Sequence, residues 1–194
     1  MERTSPALHS FLMPQWLNLP NSLTLVRLLM VPAIIRAILH GEPALALALF
    51  AVAAFTDFLD GYAARQFGGA TSVGAYLDPI ADKILISGVF VAMAVAGIFP
   101  SWLVVLIFGR DVCILAGAVL AMRLTPVRRF PPSVWGKVST FVQIVTAVVW
   151  MAQNLLSISL LQTAASVTLW LCAGFTVWSG LHYTWRGLRM VHAH

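Results

Sequence analysis

Charge is scarce in this sequence. Only 10% of its 194 residues are charged, whereas a typical soluble domain has about 25%. Just seven residues are acidic, and no aspartate or glutamate follows Asp111. So little charge excludes an ordinary water-facing surface, and the 60% share of hydrophobic residues indicates an integral membrane protein.

Cysteine and histidine are too sparse to build a disulfide framework or a metal site of their own. Cys113 and Cys172 stand in separate apolar runs without CxxC spacing, and the five histidines stand singly or in the C-terminal tail. Basic residues exceed acidic ones, 12 against 7, yet most of them flank apolar runs instead of forming one basic patch. We therefore predict no nucleic-acid partner.

Six apolar runs, each long enough to cross about 30 Å of hydrocarbon, cover most of the chain. They lie at about 22–40, 43–64, 75–96, 100–122, 134–154 and 158–181. Because the links are short, we predict an all-α fold with six transmembrane helices in one bundle, a single domain over residues 1–194. Residues 1–20 are predicted to lie along the membrane surface, with a disordered tail as the alternative.

The positions of the basic residues predict the orientation of this bundle, because cytoplasmic loops are enriched in Lys and Arg. Such residues precede span 1, follow spans 2 and 6, or lie between spans 4 and 5. They are Arg3, Arg65, Arg123, Arg128, Arg129, Lys137, Arg186 and Arg189. The opposite links, HGEP, GIFP and QNLLS, contain no Lys or Arg. We therefore predict that both termini are cytoplasmic.

Four aspartates lie within sequence that otherwise looks soluble in lipid. Asp57 and Asp60 are spaced i, i+3, and Asp78 and Asp82 are spaced i, i+4, so each pair lies on one helix face. A glycine-containing link should make spans 2 and 3 antiparallel neighbours, with all four carboxylates at the cytoplasmic end. Clustered carboxylates need a counter-charge, which hard divalent cations supply. Two such ions suit in-line displacement at phosphorus.

Small residues and one arginine accompany these aspartates. Arg65 is suited to binding phosphate oxygens, while Gly61, Ala64 and Gly74 would let a ligand approach the backbone. The alternative is a set of structural ion pairs within the membrane. Against it, Arg65, Lys83 and Arg110 are too few and too scattered to neutralise four clustered aspartates.

Eight of these positions resemble the signature of the CDP-alcohol phosphatidyltransferases. They are Asp57-x2-Asp60-Gly61-x2-Ala64-Arg65-x8-Gly74-x3-Asp78-x3-Asp82. No signature position departs from the pattern. The resemblance extends to NLPNSLTLVRLLMVP at the start of span 1, LDPIADKILIS in span 3, GRDV in span 4 and WGKVSTFVQI in span 5. It therefore covers nearly the whole chain.

The resemblance implies a membrane enzyme that displaces CMP from a CDP-linked lipid with the hydroxyl of an acceptor alcohol. It implies two divalent cations, Mg²⁺ or Mn²⁺, held by the four aspartates, with Asp82 also acting as general base. The implied lining of the CDP pocket is Gly61, Ala64, Arg65 and Gly74. It further implies a homodimer, and we place the protein in the bacterial inner membrane with its active site facing the cytoplasm.

The flanking motifs are most similar to the branch that makes anionic glycerophospholipids from CDP-diacylglycerol. Phosphatidylglycerol as acceptor would give cardiolipin, and glycerol 3-phosphate would give phosphatidylglycerophosphate. Phosphatidylglycerophosphate synthases tend to have Arg-Glu where this chain has Arg110 and Asp111, which slightly favours cardiolipin synthesis. Serine and inositol remain open as acceptors.

Other basic and polar residues are candidates for substrate contacts. The candidates for the acceptor phosphate are Arg110, Arg123, Arg128, Arg129 and Lys137. For Arg123, Arg128 and Arg129 a role in topology and lipid contact is the alternative. By their resemblance to the family's span 1, Asn21 and Arg27 are candidates for the border of the nucleotide pocket.

Two functions of other classes compete with this interpretation. A divalent-cation transporter would place carboxylates at the membrane midplane or on several spans, whereas here they crowd the predicted cytoplasmic ends of two. An inactive scaffold that keeps the fold is disfavoured by the intact signature.

Overall fold

Six helices make up the part of the chain that the computed structural model describes. The backbone is described for residues 19–67, 74–124 and 134–192, and side chains for 24–56, 80–117, 119, 123 and 134–185. Within these ranges no strand occurs. The helices are α1 (Leu19–Leu39), α2 (Pro43–Phe67), α3 (Gly74–Val95), α4 (Ser101–Leu124), α5 (Val134–Leu156) and α6 (Ser159–His192).

The prediction of an all-helical fold is confirmed, and each helix coincides with one predicted span. The main difference is α6, which continues to His192 although the apolar run was predicted to end at about residue 181. By length and composition, two stretches of the described residues could cross a membrane, Val134–Leu156 and Ser159–Trp185. The six membrane crossings, the orientation of the termini and the surface segment 1–20 stay predictions; residues 1–18 of that segment lie outside the described residues.

Tight turns close two of the links at the end of the bundle opposite the four aspartates. Gly41, with a φ of 70°, follows α1, and Gly97, with a φ of 73°, follows α3. At the first turn the Glu42 N–H donates to the Ala37 carbonyl at 2.9 Å, and the Gly41 N–H donates to the Ile38 carbonyl at 3.2 Å. This pair of bonds is a Schellman motif, which satisfies the last carbonyls of the helix.

The helices pack in a different order from the one expected. α1 packs against both α2 and α3, and α2 also contacts α5. Among the described residues α2 and α3 make no contact with each other, so the expected direct packing of spans 2 and 3 is not observed there. Gly88 explains the close approach of α1, because a Cβ on it would lie only 3.1 Å from Cδ1 of Ile35. α1 thus packs between the chain neighbours α2 and α3, with contacts to both.

Apolar side chains and aromatic rings fill the centre of the bundle. Phe50, Val89 and Phe90 are fully buried. The ring of Phe99 lies 4.9 Å from that of Phe90 and 4.9 Å from that of Trp150, which joins α3, the following link and α5. These offset and edge contacts suit aromatic packing and add to the area that the rings bury.

α5 and α6 meet along a buried polar seam instead of a purely apolar one. Trp150 Nε1 donates to the Ala165 carbonyl at 3.2 Å. Thr146 Oγ1 lies 2.7 Å from the Val142 carbonyl of its own helix and 3.2 Å from the Thr168 carbonyl of α6, so these two carbonyls share its one hydroxyl proton. In a membrane the lipid is as apolar as the side chains, so the hydrophobic effect does not drive helices together. Hydrogen bonds between helices are one of the forces that do. The seam therefore fixes α6 on α5.

Large apolar side chains also cover the outside of the described helices. Val105, Val112 and Leu115 on α4 are exposed, as are Leu160 and Trp170 on α6. A water-soluble monomer rarely exposes contiguous apolar surface of this kind. Lipid is the surrounding that suits it.

Replacing Gly97 by alanine should destabilise the protein through the backbone alone. A Cβ at this position would touch nothing within 4 Å, but a φ of 73° is costly for any residue with a Cβ. We expect the free energy of unfolding to fall by about 1 kcal/mol, measured by denaturation in detergent micelles.

Gly174→Ala provides the matched control, because Gly174 lies inside α6 and its Cβ would also meet open space. Alanine is favoured within a helix, so no loss of stability is expected there. Equal losses in the two variants would contradict a backbone origin.

Candidate functional site

Four of the seven acidic residues lie on α2 and α3, toward the end of the bundle where α1, α3 and α5 begin and α2, α4 and α6 end. Asp57 and Asp60 belong to the last part of α2, and Asp78 and Asp82 to the first part of α3. The chain direction of α2 and α3 therefore carries both pairs toward the same end, and the meeting of the four carboxylates in one pocket stays a prediction. Of these side chains, the structure describes that of Asp82.

Most of the residues of the signature lie outside the described side chains. These are Asp57, Asp60, Gly61, Ala64, Arg65, Gly74 and Asp78. The same holds for Asn21, Arg128 and Arg129 among the further candidates. Their predicted roles stay predictions, and the following geometry concerns the residues around Asp82.

Asp82 forms an ion pair with Arg27 across the interface between α1 and α3. Arg27 Nη1 donates to Asp82 Oδ1 at 2.7 Å. The Arg27 side chain is 0% exposed, whereas that of Asp82 is 39% exposed. A buried guanidinium needs such a partner, because an uncompensated charge in a protein interior is strongly unfavourable. The structure therefore places Arg27 behind the Asp82 carboxylate, on its buried side.

A second charged cluster begins at the next residue of α3. Lys83 forms an ion pair with Asp111 on α4, and Arg110 Nη1 donates to Asp111 Oδ1 at 2.9 Å. We name Lys83, Arg110 and Asp111 the basic triad. Two positive charges and one negative charge leave it a net charge of +1. Such a cluster can attract an anion such as a phosphate.

The Arg110 side chain of α4 packs against α5 and α6. Its Nε and Nη2 both donate to Ser179 Oγ on α6, at 3.2 and 2.5 Å. A Cβ on Gly136 of α5 would lie 3.5 Å from Nη2, and a Cβ on Gly180 of α6 would lie 3.5 Å from Cγ. Both distances are ordinary van der Waals contacts, so α5 and α6 pack directly against the arginine; the tighter contact at Gly136 is with the Tyr183 hydroxyl, 3.1 Å from the position of a Cβ.

The other described candidates for acceptor binding are more exposed. Lys137 and Arg123 both face outward, as their exposed side chains indicate. Lys137 lies in the first turn of α5 and follows Gly136, which packs near Arg110. The structure brings Arg110 next to Lys83, and its described contacts do not bring Arg123 to the triad.

The donor chemistry around Asp82 suits a hard divalent cation. A partly exposed carboxylate offers the oxygen ligands that Mg²⁺ and Mn²⁺ prefer. Of the other signature aspartates, Asp78 lies on α3 as well, and Asp57 and Asp60 lie on α2. The described side chains by themselves contain no group of three or more His, Cys, Asp or Glu. The cation site formed by the four signature aspartates stays a prediction.

Sequence reasoning found Asp82, Arg27 and Arg110 but assigned no role to Lys83 or Ser179. Lys83 was counted only as one of three scattered cations, although it stands inside the quoted LDPIADKILIS motif. An intramembrane lysine beside a signature aspartate was a usable signal. Ser179 carries no such signal, because a serine in a long helix is ordinary and only the packing brings it to Arg110.

Comparisons with known proteins agree with the signature. A sequence model described as CDP-alcohol phosphatidyltransferase matches residues 17–178. The chain is 39% identical over 183 residues to a probable phosphatidylglycerophosphate synthase of Mycobacterium tuberculosis, covering 89% of this chain and 82% of that one.

Two further relatives have names that differ in the acceptor. A CDP-diacylglycerol–glycerol-3-phosphate 3-phosphatidyltransferase of Bacillus subtilis is 30% identical over 193 residues, covering 89% of this chain and 97% of the relative. A cardiolipin synthase (CMP-forming) of Rattus norvegicus is 31% identical over 186 residues, covering 86% of this chain and 61% of the relative. These names leave the acceptor undecided.

Replacing Arg27 by methionine should destabilise the fold, because it removes the buried partner of Asp82 while keeping much of the side-chain volume. We expect the free energy of unfolding to fall by about 1–3 kcal/mol, the range for a hydrogen bond to a charged group. Denaturation in detergent micelles measures the change.

Arg36→Met makes the same change on the same helix at an exposed position. Its effect should stay within about 0.5 kcal/mol. If both variants lost equal stability, the ion pair with Asp82 would not account for the effect of Arg27.

Proposed function

The chain belongs to the CDP-alcohol phosphatidyltransferase family, and from that premise we propose that it transfers the phosphatidyl group of CDP-diacylglycerol to glycerol 3-phosphate, with release of CMP. Two relatives support this acceptor by name, and the chain covers 82% and 97% of their lengths. It covers only 61% of the rat cardiolipin synthase. The proposal thus differs from the slight preference for cardiolipin synthesis that the Arg110–Asp111 pair gives.

Phosphatidylglycerol is the second candidate acceptor. The Arg110–Asp111 pair supports it, because phosphatidylglycerophosphate synthases tend to have glutamate at the second position. Both acceptors present a glycerol hydroxyl as nucleophile and carry a phosphate. The same site chemistry would therefore serve either of them.

One observation carries the proposal: α3 carries a partly exposed carboxylate and, at the next residue, a member of a net-positive cluster. Asp82 and Lys83 are consecutive in α3, and Lys83 belongs to the basic triad. A transferase for a phosphate-bearing alcohol needs both a base for the hydroxyl and cations for the phosphate. The presence of both groups favours a transferase site over a purely structural role for these charges.

In the proposed reaction the acceptor hydroxyl oxygen bonds to the phosphorus that carries diacylglycerol. The bond from that phosphorus to the bridging oxygen breaks, and CMP leaves with that oxygen. Asp82 takes the hydroxyl proton, while Arg27 holds the carboxylate in place from its buried side. Gly61, Ala64, Arg65 and Gly74 would line the CDP pocket, as the signature implies.

Two divalent cations, Mg²⁺ or Mn²⁺, are proposed to be held by the signature aspartates. Their ligands would be Asp57, Asp60, Asp78 and Asp82. When bound, such ions neutralise the diphosphate and stabilise the charge that develops on CMP. The family generally uses divalent metal ions, which supports the assignment.

The family is membrane-embedded, and its lipid substrate fits the apolar surface described above. We propose the bacterial inner membrane as the location, with the site facing the cytoplasm, because the predicted cytoplasmic links carry the basic residues. The homodimer that the resemblance implies stays a prediction.

The purified protein should release CMP from CDP-diacylglycerol in the presence of Mg²⁺ or Mn²⁺ and glycerol 3-phosphate. Asp82→Asn should lower kcat by a factor of about 100 or more, because it removes the proposed base. Phosphatidylglycerol tested in parallel identifies the acceptor by the lipid that accumulates.

Glu42→Gln is the matched control, since it neutralises an exposed carboxylate in the turn at the opposite end of the bundle. Its kcat should equal that of the unaltered protein. An active Asp82→Asn variant would refute the role of Asp82, and no CMP release with any glycerol, serine or inositol acceptor would refute the enzyme itself.

Removal of divalent cations should abolish CMP release. An excess of EDTA leaves the diphosphate without its counter-charge, so the rate should fall by at least about 100-fold and return on adding Mg²⁺ or Mn²⁺. The CMP assay measures both steps. A rate that survives the chelator would argue against catalysis that depends on metal ions.

A further inference from the structure

Asp111 is the carboxylate on which Lys83 and Arg110 converge. It receives the Arg110 Nη1–H at 2.9 Å and pairs with the Lys83 ammonium, so it links α4 to α3. Asp111 is 18% exposed and Arg110 10%, while Lys83 is 43% exposed. Asp111 therefore lies deeper in the cluster than Lys83.

Arg110 and Lys83 both have N–H donors beyond those used in the contacts described above, so each can also bind a ligand. A guanidinium has five N–H donors, and the described contacts with Ser179 and Asp111 use three of them. An ammonium has three, and Lys83 is the most exposed member of the triad. Two cations with spare donors, held a fixed distance apart, match the several acceptor oxygens of a phosphate.

The triad also lies close to the proposed chemistry. Lys83 directly follows Asp82, whose carboxylate is the proposed base. Consecutive side chains of a helix point in different directions, and here Asp82 pairs with α1 while Lys83 pairs with α4. A phosphate bound to Lys83 and Arg110 would therefore lie at about the same height along α3 as the proposed base.

We propose that Asp111 is a positioning residue, which holds Lys83 and Arg110 as a fixed pair of cations for the phosphate group of the acceptor alcohol. The inference rests on the proposed function, since both candidate acceptors carry that phosphate. It also gives Lys83 a role in acceptor binding that the family signature does not include.

Asp111 has two opposing effects on an incoming phosphate. Its charge repels the anion, and removing it would raise the net charge of the triad from +1 to +2. It also restrains Lys83, whose long side chain must otherwise be ordered when the acceptor binds. Because Lys83 is substantially exposed, water and salt screen the added charge, so the loss of positioning should be the larger effect.

Asp111→Asn tests the proposal, because it keeps the shape of the side chain and removes its charge. We expect KM for the acceptor to rise about tenfold, while kcat and the KM for CDP-diacylglycerol change by less than about twofold. This pattern is expected when a mutation removes a contact that stabilises the bound substrate and the transition state equally. Asp111→Glu should restore most of the acceptor affinity. Glu42→Gln should leave both KM values unchanged.

A double-mutant cycle tests whether Asp111 acts through Lys83. Lys83→Gln alone should raise the acceptor KM several-fold, and Asp111→Asn should then add only about threefold. If Asp111→Asn did not fold, an unchanged acceptor KM in Lys83→Gln would still overturn the proposal, because Lys83 is one of the two cations that Asp111 is proposed to hold. The proposal is overturned by an unchanged or lower acceptor KM in the folded variants, or by equal rises for both substrates.

Binding without turnover separates this inference from the proposed function. Calorimetric titration of glycerol 3-phosphate into the protein in detergent micelles should show about tenfold weaker binding to Asp111→Asn, with glycerol as the phosphate-free comparison. Kinetics with phosphatidylglycerol provide the same comparison for the lipid acceptor. Binding that depends on Asp111 without CMP release would defeat the proposed function alone. Absence of both binding and turnover would defeat the two together.

Discussion

The ion pair between Arg27 and Asp82 is the interaction on which the arrangement of the first three helices depends. An arginine with no exposed surface persists in an apolar bundle only where carboxylate or other acceptors meet it. Asp82 on α3 supplies that acceptor, so α1 must lie against α3 at this height. Gly88, further along α3, then permits the close contact with Ile35 that continues the packing.

Helix positions could be predicted well from the sequence because an apolar run of membrane length has few alternative structures. α2 and α3 begin at Pro43 and Gly74, against predicted starts at about 43 and 75. α6 exceeds its predicted span because hydropathy marks only the apolar part, while a helix can continue into polar sequence as far as His192.

Neighbour relations could not be predicted in the same way. Helical spacing predicts that each aspartate pair lies on one face of its helix, but it does not say which helix covers that face. Chain order suggested that α3 packs against α2, whereas α1 packs against both. The same limit applies to the site: Lys83 and Arg110 were visible as isolated charges, and only tertiary packing joins them through Asp111.

Each charged cluster combines a more buried residue with a more exposed one, which suits a binding site. Arg27 is fully buried and Arg110 nearly so, while Asp82 and Lys83 are each about two-fifths exposed. In both clusters a more buried residue pairs with a more exposed one: Arg27 with Asp82, and Asp111 with Lys83. A purely structural ion pair gains nothing from such an order, since an exposed partner contributes less to stability. A site that must hold reactive groups in place before a ligand arrives does gain from it, because less ordering is left to the moment of binding.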